Sequence, residues 1–222
     1  KVALVDGDER KLNYKGISRA AFAFGSALRH GTLPGEKVGI LLPTGIGPVI
    51  TFFGLQCAGR VPAMLNFTSG AKNLKSACRT AQVKTVVTAR RFIELGNLQP
   101  VIDEMKAEVI FVYLEDVREN FSIIDKAFGL FGPYLPQWFA AQPAPDDVAV
   151  ILFTSGTEGE PKGVALSHRA LLANVEQVRC HIPLYPTDIL FNPLPTFHCF
   201  GLTVGALMPL YLGLKAVQHP TP

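Results

Sequence analysis

Apolar residues in this chain fall into short continuous runs separated by helix-spaced series. Val2-Ala3-Leu4-Val5 and Lys11-Leu12-Asn13-Tyr14 flank Asp6-Gly7-Asp8, and an Asp-Gly step between short runs predicts a hairpin over residues 1–16. Ile17, Ala20, Ala21, Phe24 and Leu28 recur at helical spacing before Gly31, which predicts a helix over 17–30. Val38-Gly39-Ile40-Leu41-Leu42 is apolar without alternation, as expected of a strand covered on both faces. Helices over 49–58, 71–81 and around 102–106 then alternate with strands at 61–65, 85–88 and 109–113. That rhythm predicts an α/β fold: a mostly parallel sheet flanked by helices, opened by a short N-terminal hairpin.

Residues 115 to 147 break the rhythm. They hold an apolar and aromatic knot from Phe128 to Phe139, followed by a Pro/Ala segment with Asp146-Asp147. Two readings fit: a loop with short helical turns packed on the domain, or a surface patch that touches lipid or a partner. The pattern leaves both open.

Two stretches, Val38 to Gly59 and Ile189 to Leu214, carry no Asp, Glu, Lys or Arg and pass the ~18-residue length of a membrane span. Pro43, Gly45, Gly47 and Pro48 interrupt the first, and Asn192, Pro193, Pro195, Thr196 and His198 the second. Hydrocarbon offers no water to satisfy the backbone freed at such breaks, so both stretches are expected in a buried core. Hydrophobic residues at 48% against charged residues at 18% exclude a disordered chain. A balance of 21 basic and 18 acidic side chains, net +3, lacks the dense basic footprint of a nucleic-acid binder. Cys57, Cys78, Cys180 and Cys199 form no C-x-x-C pair and are expected to be reduced thiols.

The most informative stretch follows the apolar run Val148-Ala149-Val150-Ile151-Leu152-Phe153. It is Thr154-Ser155-Gly156-Thr157-Glu158-Gly159-Glu160-Pro161-Lys162-Gly163. Hydroxyls and glycines alternate there, so backbone N–H and side-chain O–H groups can converge on an anion. Gly156 and Gly159 allow close backbone approach, and Lys162 adds a mobile positive charge. A Walker loop, G-x-x-x-x-G-K-[ST], does not fit. Pro161 stands at its second glycine and Gly163 at its metal-binding hydroxyl.

The string instead resembles the phosphate loop of the adenylate-forming superfamily, roughly [ST]-S-G-[ST]-T-G-x-P-K-G. Glu158 departs from that pattern, standing where a threonine is usual; a carboxylate beside a triphosphate is unfavourable unless it faces away or helps hold Mg²⁺. Downstream, Pro195-Thr196-Phe197-His198 resembles the family's P-x-x-H segment, which opens a helix near the acyl pocket. Glu158, the run Leu171 to Gln177 and the run His198 to Gly205 together resemble a narrower group. These are bacterial bifunctional enzymes that join an acyl-[acyl-carrier-protein] synthetase to a 2-acylglycerophosphoethanolamine acyltransferase.

The resemblance implies ATP and Mg²⁺ as cofactors and a fatty acid activated as acyl-AMP. It implies acyl carrier protein (or coenzyme A) as thiol acceptor, and a lysophospholipid partner in the parent enzyme, at the cytoplasmic side of the bacterial inner membrane. It assigns Thr154, Ser155, Gly156, Thr157, Glu158, Gly159 and Lys162 to the nucleotide phosphates, and Thr157 to the metal. Lys162 would neutralise the leaving pyrophosphate, and His198 would face the acyl carboxylate. A core histidine is the alternative for His198, and helix capping with Ser167 is the expectation for His168. Cys199 has no orienting carboxylate near it in sequence, which argues against a nucleophile. Residues 1–222 are expected to be part of a large N-terminal domain whose remaining segments, with the small C-terminal domain, lie beyond Pro222. No histidine is followed five residues on by aspartate, so the acyltransferase motif H-x-x-x-x-D lies elsewhere in such a parent. A stand-alone acyl-CoA synthetase, a nucleotide-binding module without ligase chemistry and a membrane-anchoring domain are the competing readings.

Overall fold

A computed structural model describes residues 1–155 and 160–219. The chain opens with β1 (Val2–Val5), β2 (Lys11–Asn13) and α1 (Tyr14–Leu28). It continues through β3 (Lys37–Ile40), α2 (Ile46–Ala58), β4 (Val61–Met64), α3 (Gly70–Ala81), β5 (Thr85–Thr88), α4 (Arg90–Leu95), α5 (Gln99–Met105) and β6 (Ile110–Tyr113). Three short helices follow: α6 (Leu114–Glu119), α7 (Ile123–Phe131) and α8 (Pro136–Phe139). Then come β7 (Val148–Ser155), β8 (Pro161–Ser167), α9 (His168–His181), β9 (Ile189–Asn192), α10 (Cys199–Leu202), a π-helical turn (Thr203–Leu207), α11 (Met208–Tyr211) and β10 (Lys215–Gln218).

The strands form two sheets. The larger has the order β6-β5-β3-β4-β7-β8 and is parallel except for β8, which runs antiparallel to β7. The smaller has the order β2-β1-β10-β9, in which the N-terminal hairpin pairs in parallel with β10. The expected parallel sheet is thus present, and the expected hairpin belongs to a second sheet.

Successive residues of the central strands point to opposite faces, and both faces are covered. Ile40, Met64, Val87, Val150 and Leu152 enter one core with Phe52 and Leu55 of α2. Leu41, Ala63, Val86 and Ile151 enter the other with Leu74 and Cys78 of α3. Each fully buried aliphatic side chain contributes about 1.5–3 kcal/mol, which explains why the strands read as unbroken apolar runs. A third core joins Leu4 and Ala216 of the small sheet to Ile17, Ile46 and Val49.

Local signals set the helix ends. Asn13 caps α1 by accepting from the Gly16 N–H at 2.7 Å, and Gly59 closes α2 in the left-handed region at φ +74°. The stretch 38–59 becomes β3 and α2, and the stretch 189–214 becomes β9 through α11. Among the described residues no helix is long and apolar enough to cross a membrane.

Candidate nucleotide and acyl site

β7 does not lead into a helix, as a phosphate loop of the Walker type would. The next strand, β8, pairs antiparallel with it, so Pro161, Lys162 and Gly163 are strand residues rather than loop residues. The register pairs Thr154 with Lys162 and Ser155 with Pro161. Directly opposed residues hold their Cβ atoms about 5 Å apart, so the hydroxyl of Thr154 and the lysine share the mouth of the hairpin. Both residues are exposed, and among the described residues Lys162 has no ion-pair partner. Gly156, Thr157, Glu158 and Gly159 lie outside the described residues.

The same end of the hairpin is tied down from α3, where the Ser76 hydroxyl donates to a Glu160 carboxylate oxygen at 2.7 Å. No local pattern joins residues 84 positions apart, so this tether was invisible in the sequence.

β3, β4 and β7 are parallel neighbours, so their C-terminal ends share one edge of the sheet. Ligands of open α/β sheets gather at that edge. The Pro195–His198 segment docks there too. The Thr44 hydroxyl, just past β3, donates to the Leu194 carbonyl at 3.2 Å and accepts from the Thr196 N–H at 3.2 Å. Phe67, three residues past β4, meets the Phe197 ring edge-on at 5.1 Å between centroids. Phe197 is buried, whereas His198 beside it is exposed, which corrects the core-histidine alternative. His198 takes the N-cap position of α10, and its carbonyl accepts the Leu202 N–H at 2.9 Å.

An apolar crevice runs between Phe52, Met64, Thr196, Leu202 and Ala206. It has about 10 Å³ of free space, room for about one water. An acyl chain would need these walls to part.

A buried amide pair holds the segment in place. Asn192 Nδ2 donates to Gln218 Oε1 at 2.8 Å, and Gln218 Nε2 donates to the Gly205 carbonyl at 2.7 Å. Asn192 Oδ1 in turn accepts the Leu194 N–H at 3.1 Å. Gly201 and Gly205 permit this contact: a Cβ would stand 2.1 Å from the Pro195 carbonyl oxygen at the first and 2.2 Å from Asn192 Cγ at the second. Gly205 falls within the π-helical turn, an irregularity frequent at functional sites.

His168 stands apart. Ser167 pairs with Val148 at the far end of β7, about 20 Å from the hairpin mouth at the rise of a strand. Ser167 caps α9 by accepting the Ala170 N–H. Burial pushes the His168 imidazole below its ordinary range, against the opposing charge of Asp147. His168 and Arg169 line an open groove of about 460 Å³ with Pro143, Pro145 and Leu172, on the edge away from the candidate site.

All four cysteines are free. Burial pushes the Cys57 and Cys78 thiols up to about 11 and about 12, so neither is poised as a nucleophile. Among the described residues no group of three or more His, Cys, Asp or Glu is placed to hold a metal ion.

The chain is similar to a long-chain-fatty-acid–CoA ligase of Escherichia coli O6:H1, 23% identical over 91% of this chain and 41% of that protein. It is also similar to one of Bacillus subtilis, 26% identical over 95% of this chain and 42% of that protein. It therefore spans less than half the length of these curated relatives. Among solved structures, a fatty acyl-adenylate ligase from L. pneumophila, in complex with acyl adenylate and pyrophosphate, superposes with a TM-score of 0.79. The identity is 22%, covering 100% of this chain and 37% of that one. VinN in complex with 3-methylaspartate gives 0.83 at 22% identity, over 99% and 57%. These likenesses share the fold of an adenylate-forming ligase. The family model described as AMP-binding enzyme matches residues 1–222, and the chain belongs to the AMP-binding enzyme family.

Proposed function

We propose that this chain supplies the phosphate-binding hairpin and one wall of the acyl pocket of an ATP-dependent, AMP-forming fatty-acid ligase. The observation that carries the reading is the register that sets Thr154 opposite Lys162 at the hairpin mouth, a hydroxyl beside an exposed ammonium. In the reaction, a carboxylate oxygen of the fatty acid bonds to the α-phosphorus of ATP, and the bond from that phosphorus to the bridging oxygen breaks. Pyrophosphate leaves with the added negative charge. Thr154, Ser155 and Thr157 would donate to β- and γ-phosphate oxygens, with backbone N–H groups of Gly156, Glu158 and Gly159 around them. Lys162 would meet the charge that grows on the leaving group, an electrostatic role with no proton transfer. The Thr157 hydroxyl would help hold a Mg²⁺ ion, whose charge would offset that of the phosphates. His198, exposed at the N-cap of α10, would face the acyl carboxylate.

A thiol then attacks the acyl carbon and displaces AMP. The named relatives favour coenzyme A as that thiol. The narrower resemblance favours acyl carrier protein, in a bifunctional parent that passes the acyl group to 2-acylglycerophosphoethanolamine at the cytoplasmic face of the bacterial inner membrane. Residues 1–222 would then be part of its large N-terminal synthetase domain. Supplying each thiol to the whole protein and following the thioester product separates the two.

The reading is tested with Lys162→Ala in the whole protein. Fatty-acid-dependent ATP–pyrophosphate exchange is expected to fall about 100-fold, while fatty-acid binding stays within about twofold. Unchanged exchange removes Lys162 from the mechanism.

A further inference from the structure

Helix α7 presents its apolar side to water. At 100° per residue, Ile123, Ile124, Leu130 and Phe131 fall within an arc of about 120°. All four are exposed, Ile123 by 86% and Phe131 by 50%. The opposite side is small and packs on α1. A Cβ at Gly129 would stand 2.9 Å from the Arg19 carbonyl oxygen, and one at Gly132, the C-cap, 2.2 Å from the Phe22 ring. Tyr134, Leu135 and Trp138 extend the exposed surface into α8, with Trp138 79% exposed. Soluble helices place these faces the other way round, and a contiguous apolar patch of this kind marks a contact surface.

Charge identifies the partner. Between Asn120 and Gln142 the charged residues are Asp125 and Lys126. Asp125 is buried inside the capping box with Ser122, and Lys126 is exposed. Lys15 adds a second ammonium, 5.8 Å from the centre of the Tyr134 ring. The patch is therefore apolar and aromatic with a cationic rim. Trp and Tyr rings suit the headgroup level of a bilayer, and lysines beside a shallow apolar face suit anionic lipid.

We propose that the α7–α8 surface is a docking site for an anionic phospholipid bilayer, with Ile123, Ile124, Phe131 and Trp138 entering the interface and Lys15 and Lys126 meeting headgroups. It lies on elements separate from the phosphate hairpin, and it stands or falls independently of the ligase reading.

The test uses the whole protein and vesicles of phosphatidylethanolamine with phosphatidylglycerol, read by flotation. The unsubstituted protein is expected to float with them and to bind phosphatidylcholine vesicles less. Ile123→Ser combined with Phe131→Ser should lower the bound fraction at least about tenfold, the order expected for two apolar side chains leaving an interface. Lys126→Glu should weaken binding to the anionic vesicles and leave phosphatidylcholine unaffected. In a second measurement, a thiol introduced by Trp138→Cys, read by mass spectrometry of the peptide carrying residue 138 because Cys180 and Cys199 are also exposed, should react with maleimide in solution and be protected by the anionic vesicles. Failure of the unsubstituted protein to float, or equal flotation of the double variant, overturns the proposal. So does absence of labelling without vesicles, which would place another part of the protein over the patch. A dimer in sedimentation that the double substitution abolishes, with vesicle binding intact, overturns it in favour of a second copy of the chain.

Discussion

Two glycines, Gly201 and Gly205, mark places where this chain has no room for a side chain. Gly205 lies against the Asn192 amide, with a Cβ position 2.2 Å from Cγ, and Asn192 is itself held by hydrogen bonds to Gln218 and the Gly201 carbonyl and from Leu194. Gly205→Ala should therefore cost about 1–3 kcal/mol, the range for overpacking a core. Gly31→Ala, which meets nothing within 4 Å, is the matched control in the same urea titration. Equal midpoints for the two variants would show that the π-helical turn relaxes freely. From the sequence, Gly201 and Gly205 read as sites of close packing or of lipid-tail access, because glycines in an apolar run signal close approach. It could not say against what: Asn192 and Pro195 reach them only through a turn of the chain back on itself.

At the scale of elements, the strand runs and most helices were legible because burial on both sheet faces demands uninterrupted apolar sequence. The β7–β8 hairpin was not. Its return strand, Pro161 to Ser167, is an exposed sheet edge, so no buried face imposed an apolar pattern on it. The same reason hid the register that puts Lys162 opposite Thr154. The amide pair of Asn192 and Gln218 joins β9 to β10 and anchors the segment bearing His198. Gln218→Leu should leave the Asn192 donor and the Gly205 carbonyl without these buried partners, at about 1–3 kcal/mol. An unshifted denaturation midpoint would falsify the anchoring role.

Over the whole molecule, two sheets share α2, which contributes to the core of each, and the candidate site sits at the C-terminal edge of the larger one. In the proposed reading the hairpin meets the nucleotide phosphates and α10 the acyl chain, and the relatives are more than twice as long as this chain. The chain alone is accordingly expected to show no fatty-acid-dependent pyrophosphate exchange under conditions in which the whole protein turns over. Robust exchange by residues 1–222 would place a complete site within them.

Sequence alone determined the α/β class, the parallel core and the resemblance of two motifs to an adenylate-forming enzyme, since periodicity and short-range chemistry are local properties. Tertiary structure decided three things that depend on distant residues meeting. It set Lys162 across from Thr154, and it turned His198 outward while burying Phe197. It also decided the knot at 128–139, which the sequence left open. Gly129 and Gly132 let α7 press its narrow side onto α1, and that close approach commits Ile123, Phe131 and their neighbours to the surface.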